Sequence, residues 1–402
     1  MALALDGLGA QEVRPDSAAP WHSYRSERFD LLLGAGVLLD VGSYTQNDDS
    51  RELYGDHEEL ERGEIRAVRA FVGGTVRLPH PVGFVVGGAY RAFDQGFEST
   101  TDEVWTWFDV SLFTRVGPLG TLRLGKMKEP ISLEREMSLA QGALMERPMH
   151  LDAFLPSRNV GLRLDRTHLD GRLTWAVGVF NAFLDLDDVD FSEASNQVIG
   201  RVSGVPIYRP EDQEYLHLGL GLRYSDVRRG LVRFRSSPEA FPLPKYVDTD
   251  EVEADGARWL SLEAGWGRGP VWLASEFTHV AVDDVADRSP AFLGGHATLT
   301  WAVTGEHRTY RLGRGIVGAA VPRRPVGDGW GLLELAIRGS WVDLADGEVD
   351  GGEAIRGSIG VNWYPTDASR VSVSGGLVQT ERSGRSARTG VVQARWQLLM
   401  GS

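Results

Sequence analysis

The sequence predicts an all-β fold, a transmembrane 16-stranded antiparallel β-barrel. Three observations carry that expectation: apolar and polar residues alternate repeatedly, the alternating runs number 16, and short and long connections between them take turns. Alternation with period 2 puts successive side chains on opposite faces of a strand. In the run 215–224, Leu216, Leu218, Leu220, Leu222 and Tyr224 share one face, while His217, Gly219, Gly221 and Arg223 share the other. Ile355, Gly357, Ile359, Val361 and Trp363 likewise oppose Arg356, Ser358, Gly360 and Asn362. In a transmembrane barrel the apolar face points to lipid.

Read this way, strands fall near 29–41, 64–78, 82–94, 103–115, 119–129, 158–169, 171–183, 196–206, 214–226, 257–266, 271–281, 291–303, 329–343, 352–364, 369–380 and 389–400. They exceed the usual 5–6 residues of globular strands and suit tilted membrane spans. Connections at 79–81, 116–119, 170, 267–270 and 365–368 are short. Those at 42–63, 95–102, 130–157, 184–195, 227–256, 282–290, 344–351 and 381–388 are long. Periplasmic turns and outer loops alternate like this in outer-membrane barrels. Segment 304–328 breaks the rule, being long on the short-turn side. Both termini are expected on that side.

Composition narrows the function. Mean hydropathy is −0.20 and no run approaches 18 apolar residues, so transmembrane helices are excluded but barrel strands are not. With no cysteine, disulfides, thiolate metal sites and cysteine nucleophiles are ruled out. The 49 glycines and 12 tryptophans suit a barrel with aromatic girdles. A net charge of −14 argues against a nucleic-acid partner. Segments 44–64, 184–193, 248–255 and 343–353 hold 23 of the 56 acidic residues, all on the long-loop side, either as solvated loops or as a cation-attracting vestibule. The nine histidines show no metal-binding spacing and no nucleophile elbow occurs, so no enzyme, cofactor or metal is expected.

One barrel domain is expected over 1–402, with 1–28 an N-terminal extension and 130–157 a constriction loop. The first residues lack the basic and apolar regions of a signal peptide, so the chain reads as a mature form with an added start Met, and Gly401-Ser402 as an appended tail.

From 119 onward the residues become familiar. Gly125-Lys126-Met127-Lys128-Glu129-Pro130-Ile131-Ser132-Leu133-Glu134 is followed by Met145-Glu146-Arg147-Pro148, then by Phe154-Leu155-Pro156-Ser157-Arg158-Asn159-Val160-Gly161. Thr304-Gly305-Glu306-His307-Arg308-Thr309-Tyr310, the run 330–340 around Leu333-Glu334-Leu335-Ala336, Val361-Asn362-Trp363-Tyr364 and Glu64-Ile65-Arg66-Ala67-Val68-Arg69 complete the set. Seven such motifs in order resemble the phosphate-selective porins O and P. The resemblance implies a 16-stranded anion-conducting pore, the loop after the fifth strand folded into the lumen, and a homotrimer. The chain departs from the family in three places. The first strand lacks the family's Arg between Gly34 and Asp40, only Lys126, Lys128 and Lys245 are lysine, and the last strand ends at Met400 rather than in Phe.

Selective passage needs fixed charge at a narrow point. Segment 130–157 is too apolar for a solvated loop, with Ile131, Leu133, Met137, Leu144, Met149, Leu151 and Phe154 needing a wall to pack on. Arg147 within it and Arg158 just beyond it are the candidate anion-binding cations, since a guanidinium offers phosphate two parallel donors. Alternatively, Arg147 and Glu146 pin the loop to the wall. Ideal alternation turns Lys126 and Lys128 towards lipid, where they would snorkel, whereas a bulge near Gly125 would turn them inward. Inward faces carry Arg123, Arg163, Arg223, Arg338, Arg356 and Arg395, either as a stepping path for anions or as ion pairs filling the lumen.

The expected function is an outer-membrane porin for passive diffusion of small anions, phosphate or polyphosphate among them, in contact with lipid and lipopolysaccharide. The alternatives are a weakly selective or cation-tolerant porin and a non-transport barrel such as an adhesin or envelope anchor. Reversal potentials and single-channel conductance separate these.

Overall fold

The computed structural model describes residues 22–61, 63–90, 105–182, 192, 194–283 and 289–401. Sixteen long strands build one antiparallel sheet: β1 (Phe29–Gln46), β2 (Gly63–Val76), β3 (Val82–Tyr90), β4 (Trp105–Arg115), β5 (Thr121–Met127), β6 (Asn159–His168), β7 (Leu173–Asn181), β8 (Asn196–Arg209), β9 (Glu214–Asp226), β10 (Gly256–Arg268), β11 (Val271–Asp283), β12 (Ala291–Ala302), β13 (Leu332–Asp346), β14 (Val349–Tyr364), β15 (Ser369–Arg382) and β16 (Arg385–Met400). Each pairs with the next, and β1 pairs with β16 from Ala35↔Met400 to Gln46↔Thr389. The sheet therefore closes into a barrel, which removes the unpaired edges an open sheet would expose. A short strand, Ser23–Arg25, pairs with β1 at Asp30–Leu32, just past the end of β16. The described chain thus begins and ends on the short-turn rim.

All 16 expected runs are strands over their described residues, with 91–94, 103–104 and 183 lying outside these, and their faces are inverted relative to a soluble protein. Leu218, Leu222, Ile355 and Ile359 are exposed around the outside, whereas His217, Arg223, Arg356, Ser358 and Asn362 are buried inside. Outside the barrel, lipid rather than water covers the apolar face.

Two expectations about connections are corrected. The long loops placed at 344–351 and 381–388 are two-residue turns, at Gly347-Glu348 and at Ser383-Gly384. The β13–β14 and β15–β16 ladders continue to Asp346↔Val349 and Arg382↔Arg385. Glycine, acidic and arginine residues interrupt the pattern there, so the alternation fades while the backbone pairing persists. Gly347 (φ 60°), Ser383 (φ 52°) and Gly384 (φ 73°) supply the positive φ that tight hairpins need. Of the acidic segments, 184–193 lies almost wholly outside the described residues.

Among the described residues, three connections fold into the lumen instead of standing in solvent. Segment 130–157 carries the short helices α1 (Leu133–Glu136) and α2 (Met149–Phe154), both almost fully buried. Segment 227–255 forms two small hairpins, Leu231–Val232 with Val252–Glu253 and Arg235–Ser236 with Val247–Asp248. On the opposite rim, 304–328 forms a hairpin of Tyr310–Arg311 with Ile316–Val317. The main apolar cluster joins Met149, Leu151 and Phe154 of the first segment to Phe234 and Val247 of the second and to Trp259, Phe292 and Val342 of the wall. The core therefore sits inside the barrel, against β9–β16.

Candidate functional site

The loop that leaves β5 enters the lumen through a helix start capped by its own sequence. Ser132 Oγ accepts from the Arg135 amide at 3.0 Å, and the Glu134 amide donates to Glu276 Oε1 on β11 at 2.6 Å. An irregular backbone inside a barrel must still satisfy its carbonyls. The wall and segment 304–328 supply the donors: Gln397 Nε2 to Ala140 O (3.0 Å), Arg308 Nη1 to Gln141 O (3.0 Å), Arg370 Nη1 to Gly142 O (2.8 Å), Asn362 Nδ2 to Ala143 O (2.7 Å), Arg395 Nη1 to Met145 O (2.5 Å) and Arg338 Nη1 to Glu146 O (2.8 Å). Between 140 and 146 every carbonyl except that of Leu144 is met. Wall glycines let the loop lie flat: a Cβ on Gly360 would stand 2.6 Å from Leu144 Cδ2.

Glu146 is the ionic anchor. It accepts from Arg66 Nε at 2.9 Å and from Arg395 Nη2 at 2.6 Å, and Arg395 also grips Asp40 through two bonds of 2.7 and 2.6 Å. Burial pushes the Glu146 carboxyl up, but Arg66 and Arg395 outweigh it and hold the pKa at about 2.

Several of the expected cations belong to this packed half. Arg147 is buried and donates to the carbonyls of Glu134 and Met137, so Arg147 and Glu146 both pin the loop, through separate partners. Arg223 meets Glu129 at 3.4 Å and lies over the Trp259 ring. Arg338 bonds Thr298 and Glu239. Arg356 bonds Ser358 and the Pro238 carbonyl. Glu239, from 227–255, also accepts from Ser340 and the Met149 amide, tying the two inward segments to one wall.

The other half of the lumen is open. A cavity of about 650 Å³ is lined mainly by the inner faces of β1–β8, by the outer side of the inward loop and by residues 311–316. Its cations are Arg69, Arg115, Arg123, Lys128, Arg158, Arg163, Arg166, Arg201, Arg311 and Arg314; its carboxylates are Asp109, Glu136 and Asp165. All three carboxylates are engaged. Asp109 meets Arg158 at 3.3 Å, and Arg163 holds Glu136 at 2.9 Å and Asp165 at 2.7 Å. Among the described residues, ten cations against three paired carboxylates leave a positive surplus, even with Arg201 further held by Glu263 at 2.8 Å.

The structure thus brings Lys128, Arg158 and Arg163 together at the cavity and spreads Arg147, Arg223, Arg338 and Arg356 through the packed half. Gly125 adopts φ 127°, and Lys128 beyond it turns inward, where Nζ donates to the carbonyls of Glu136 (3.1 Å) and Met137 (2.8 Å). Burial, then Arg158 and Arg147, push the Lys128 ammonium pKa well down. Lys126 is buried in the wall and does not line the cavity. Sequence reasoning missed Arg69, Arg115, Arg166, Arg201, Arg311 and Arg314 as cavity residues. For Arg311 and Arg314 a signal existed: an arginine-rich segment whose length broke the turn pattern.

The motifs that resemble a family also meet in space. Glu334 accepts from Arg308 at 2.9 and 2.8 Å, from Asn362 at 3.2 Å and from Tyr364 at 3.4 Å, drawing residues of three separate motifs onto one carboxylate. The model of the phosphate-selective porin O and P family matches residues 53–399. The chain belongs to this family. Among curated relatives, an uncharacterised protein of Caulobacter vibrioides is 28% identical over 310 residues, covering 72% of this chain and 61% of that one. Porin O of Pseudomonas aeruginosa is 26% identical over 136 residues, covering 32% and 31%. The chain therefore matches less than two thirds of either relative's length. Among solved structures, the anion-selective porin from Comamonas acidovorans superposes with a TM-score of 0.55 at 12% identity, covering 92% of this chain and 100% of that one. OmpT, an outer membrane protein of Vibrio cholerae, gives 0.56 at 10% identity, covering 93% and 99%. At such identities the likeness shows the fold. This member of the porin family is an outer-membrane barrel whose lumen is half packed and half basic cavity.

Proposed function

We propose that the chain conducts small anions, phosphate-like ones among them, passively across the outer membrane. The observation that carries this is the charge of the cavity, whose described lining holds ten cations, one of them held by Glu263, and three already paired carboxylates, in a chain of net charge −14. Local charge outweighs the total because exposed charges farther away than a Debye length, about 10 Å at 0.1 M salt, are largely screened. Charges beside a low-dielectric wall act more strongly than those in open water. Arg158, Arg163 and Arg123 are the residues on which the preference rests, with smaller parts for Lys128, whose charge burial disfavours, and Arg201, which Glu263 holds at 2.8 Å; Arg147, Arg223, Arg338 and Arg356 support it by holding the loop aside. The test is the reversal potential of the purified channel in a planar bilayer under a tenfold KCl gradient. The expected sign is that of chloride permeating faster than potassium; the opposite sign overturns the reading. A homotrimer is part of the same proposal, supported by the family and by the OmpT structure described as a trimer form. The mass of the unheated detergent complex checks it.

A further inference from the structure

The inner wall of β1–β4 carries something a water-filled channel does not need, a patch of apolar side chains. Leu32, Phe71, Val85 and Phe113 pack together on lumen-facing positions. Phe71 and Val85 line the cavity. The Phe71 ring lies over Gly34, its cross-strand partner, where any Cβ would run into it. Immediately beside this patch runs a row of cations. Phe113 is the register partner of Arg123, and Arg123 is the register partner of Arg163.

Two like charges directly opposite across a strand pair repel. Arg163 is relieved by Glu136 and Asp165. Arg123 makes no ion pair with any carboxylate among the described residues; its guanidinium lies 4.7 Å from the Phe113 ring centre. A stacked guanidinium keeps its edge donors available while its face is covered by the ring. The wall therefore presents, side by side, an apolar surface and an unclaimed planar cation.

Resting on the anion reading above, we propose that this wall is a subsite for organic carboxylates with an apolar body, aromatic carboxylates above all, in preference to compact inorganic anions. The carboxylate meets the Arg123 edge, and the body lies on Phe71 and Val85. A compact, strongly hydrated phosphate gains nothing from the apolar half. The cavity volume of about 650 Å³ falls within the range of sites for multi-carbon ligands, roughly 300–1,000 Å³, and far exceeds what one phosphate fills.

The experiment measures block of single-channel chloride current by benzoate, acetate and inorganic phosphate in the full-length channel. Benzoate is expected to block at a concentration at least about tenfold below acetate and phosphate, a difference of about 1.4 kcal/mol. Phe71→Ser should bring the benzoate-to-acetate ratio, read within the same channel, close to one, while Phe71→Leu keeps most of it. Arg123→Gln should weaken block by both carboxylates. An anion-selective channel that phosphate blocks as well as benzoate does, or a ratio unmoved by Phe71→Ser, overturns this inference alone. A channel that passes potassium over chloride overturns the anion reading and this inference together.

Discussion

The two halves of the lumen are built from the same ingredients and do different things with them. Against β9–β16, arginines are buried and committed: Arg395 to Asp40, Glu146 and a carbonyl, Arg308 to Glu334 and a carbonyl, Arg338 to Glu239, Thr298 and a carbonyl. Against β1–β8, arginines outnumber their carboxylates and face a cavity. The difference is whether an inward segment lies on the wall. Where one does, each guanidinium is consumed by backbone carbonyls and buried carboxylates, and serves packing. Where none does, carboxylates engage only part of the same residue type, and Arg123 is left to act on whatever passes. An inward-facing arginine is thus a structural residue or a field-forming one according to its place on the circumference.

The largest test of this contrast is Glu146→Ala. It leaves Arg66 and Arg395 facing each other across the lost carboxylate, and breaking such a buried pair costs about 3–5 kcal/mol. The expected result is a lower unfolding temperature in detergent and larger, noisier single-channel currents as the loop comes off the wall; a quiet channel of unchanged conductance would show that the backbone ladder alone suffices. The same anchor predicts a pH dependence. Its folded pKa, about 2, lies below the ordinary 4.5, so its contribution is fully present above about 4.5 and fades as pH falls towards 2. Current noise should rise in that window, and Glu146→Gln should be noisy at every pH.

A smaller effect separates Arg158 from Arg147. Arg158 lines the cavity and should, as Ala, lower the chloride-to-potassium permeability ratio by about two- to threefold at 0.1 M salt, without unfolding the barrel. Arg147, buried and bonded to the Glu134 and Met137 carbonyls, should as Ala cost stability first. Equal shifts in permeability from both would erase the distinction between the halves.

The smallest effect is expected at the rim. Arg385 and Glu52 form an exposed pair above the barrel. Exposed pairs contribute little and are screened by salt, so Arg385→Gln should leave both the unfolding temperature and the permeability ratio where they were.

How much of this was legible in advance follows from how each feature is encoded. The strands were, because period 2 is a local property and survives in every run from Phe29 to Met400. The entry of 130–157 into the lumen was, because Ile131, Leu133, Met149 and Phe154 cannot be left in water. The entry of 227–255 was not: Phe234, Tyr246 and Val247 are scattered without period, and short hairpins of two-residue strands have no run to detect. The tall β13–β16 hairpins were read as loops because pairing outlasts alternation where glycine and charged residues interrupt it.

By itself, the sequence determined which side of most strand stretches meets lipid and which meets the lumen, since between irregularities such as the one at Gly125 that depends only on the parity of neighbours along the chain. It also determined that the lumen would be rich in arginine. Which arginines are locked and which look into a cavity was decided by the tertiary structure alone. Arg395 finds Glu146 249 residues away and Arg308 finds the Gln141 carbonyl 167 residues away, and only closure of the barrel around its inward loop brings such partners within hydrogen-bond reach, while leaving Arg123 facing the cavity across from Arg163.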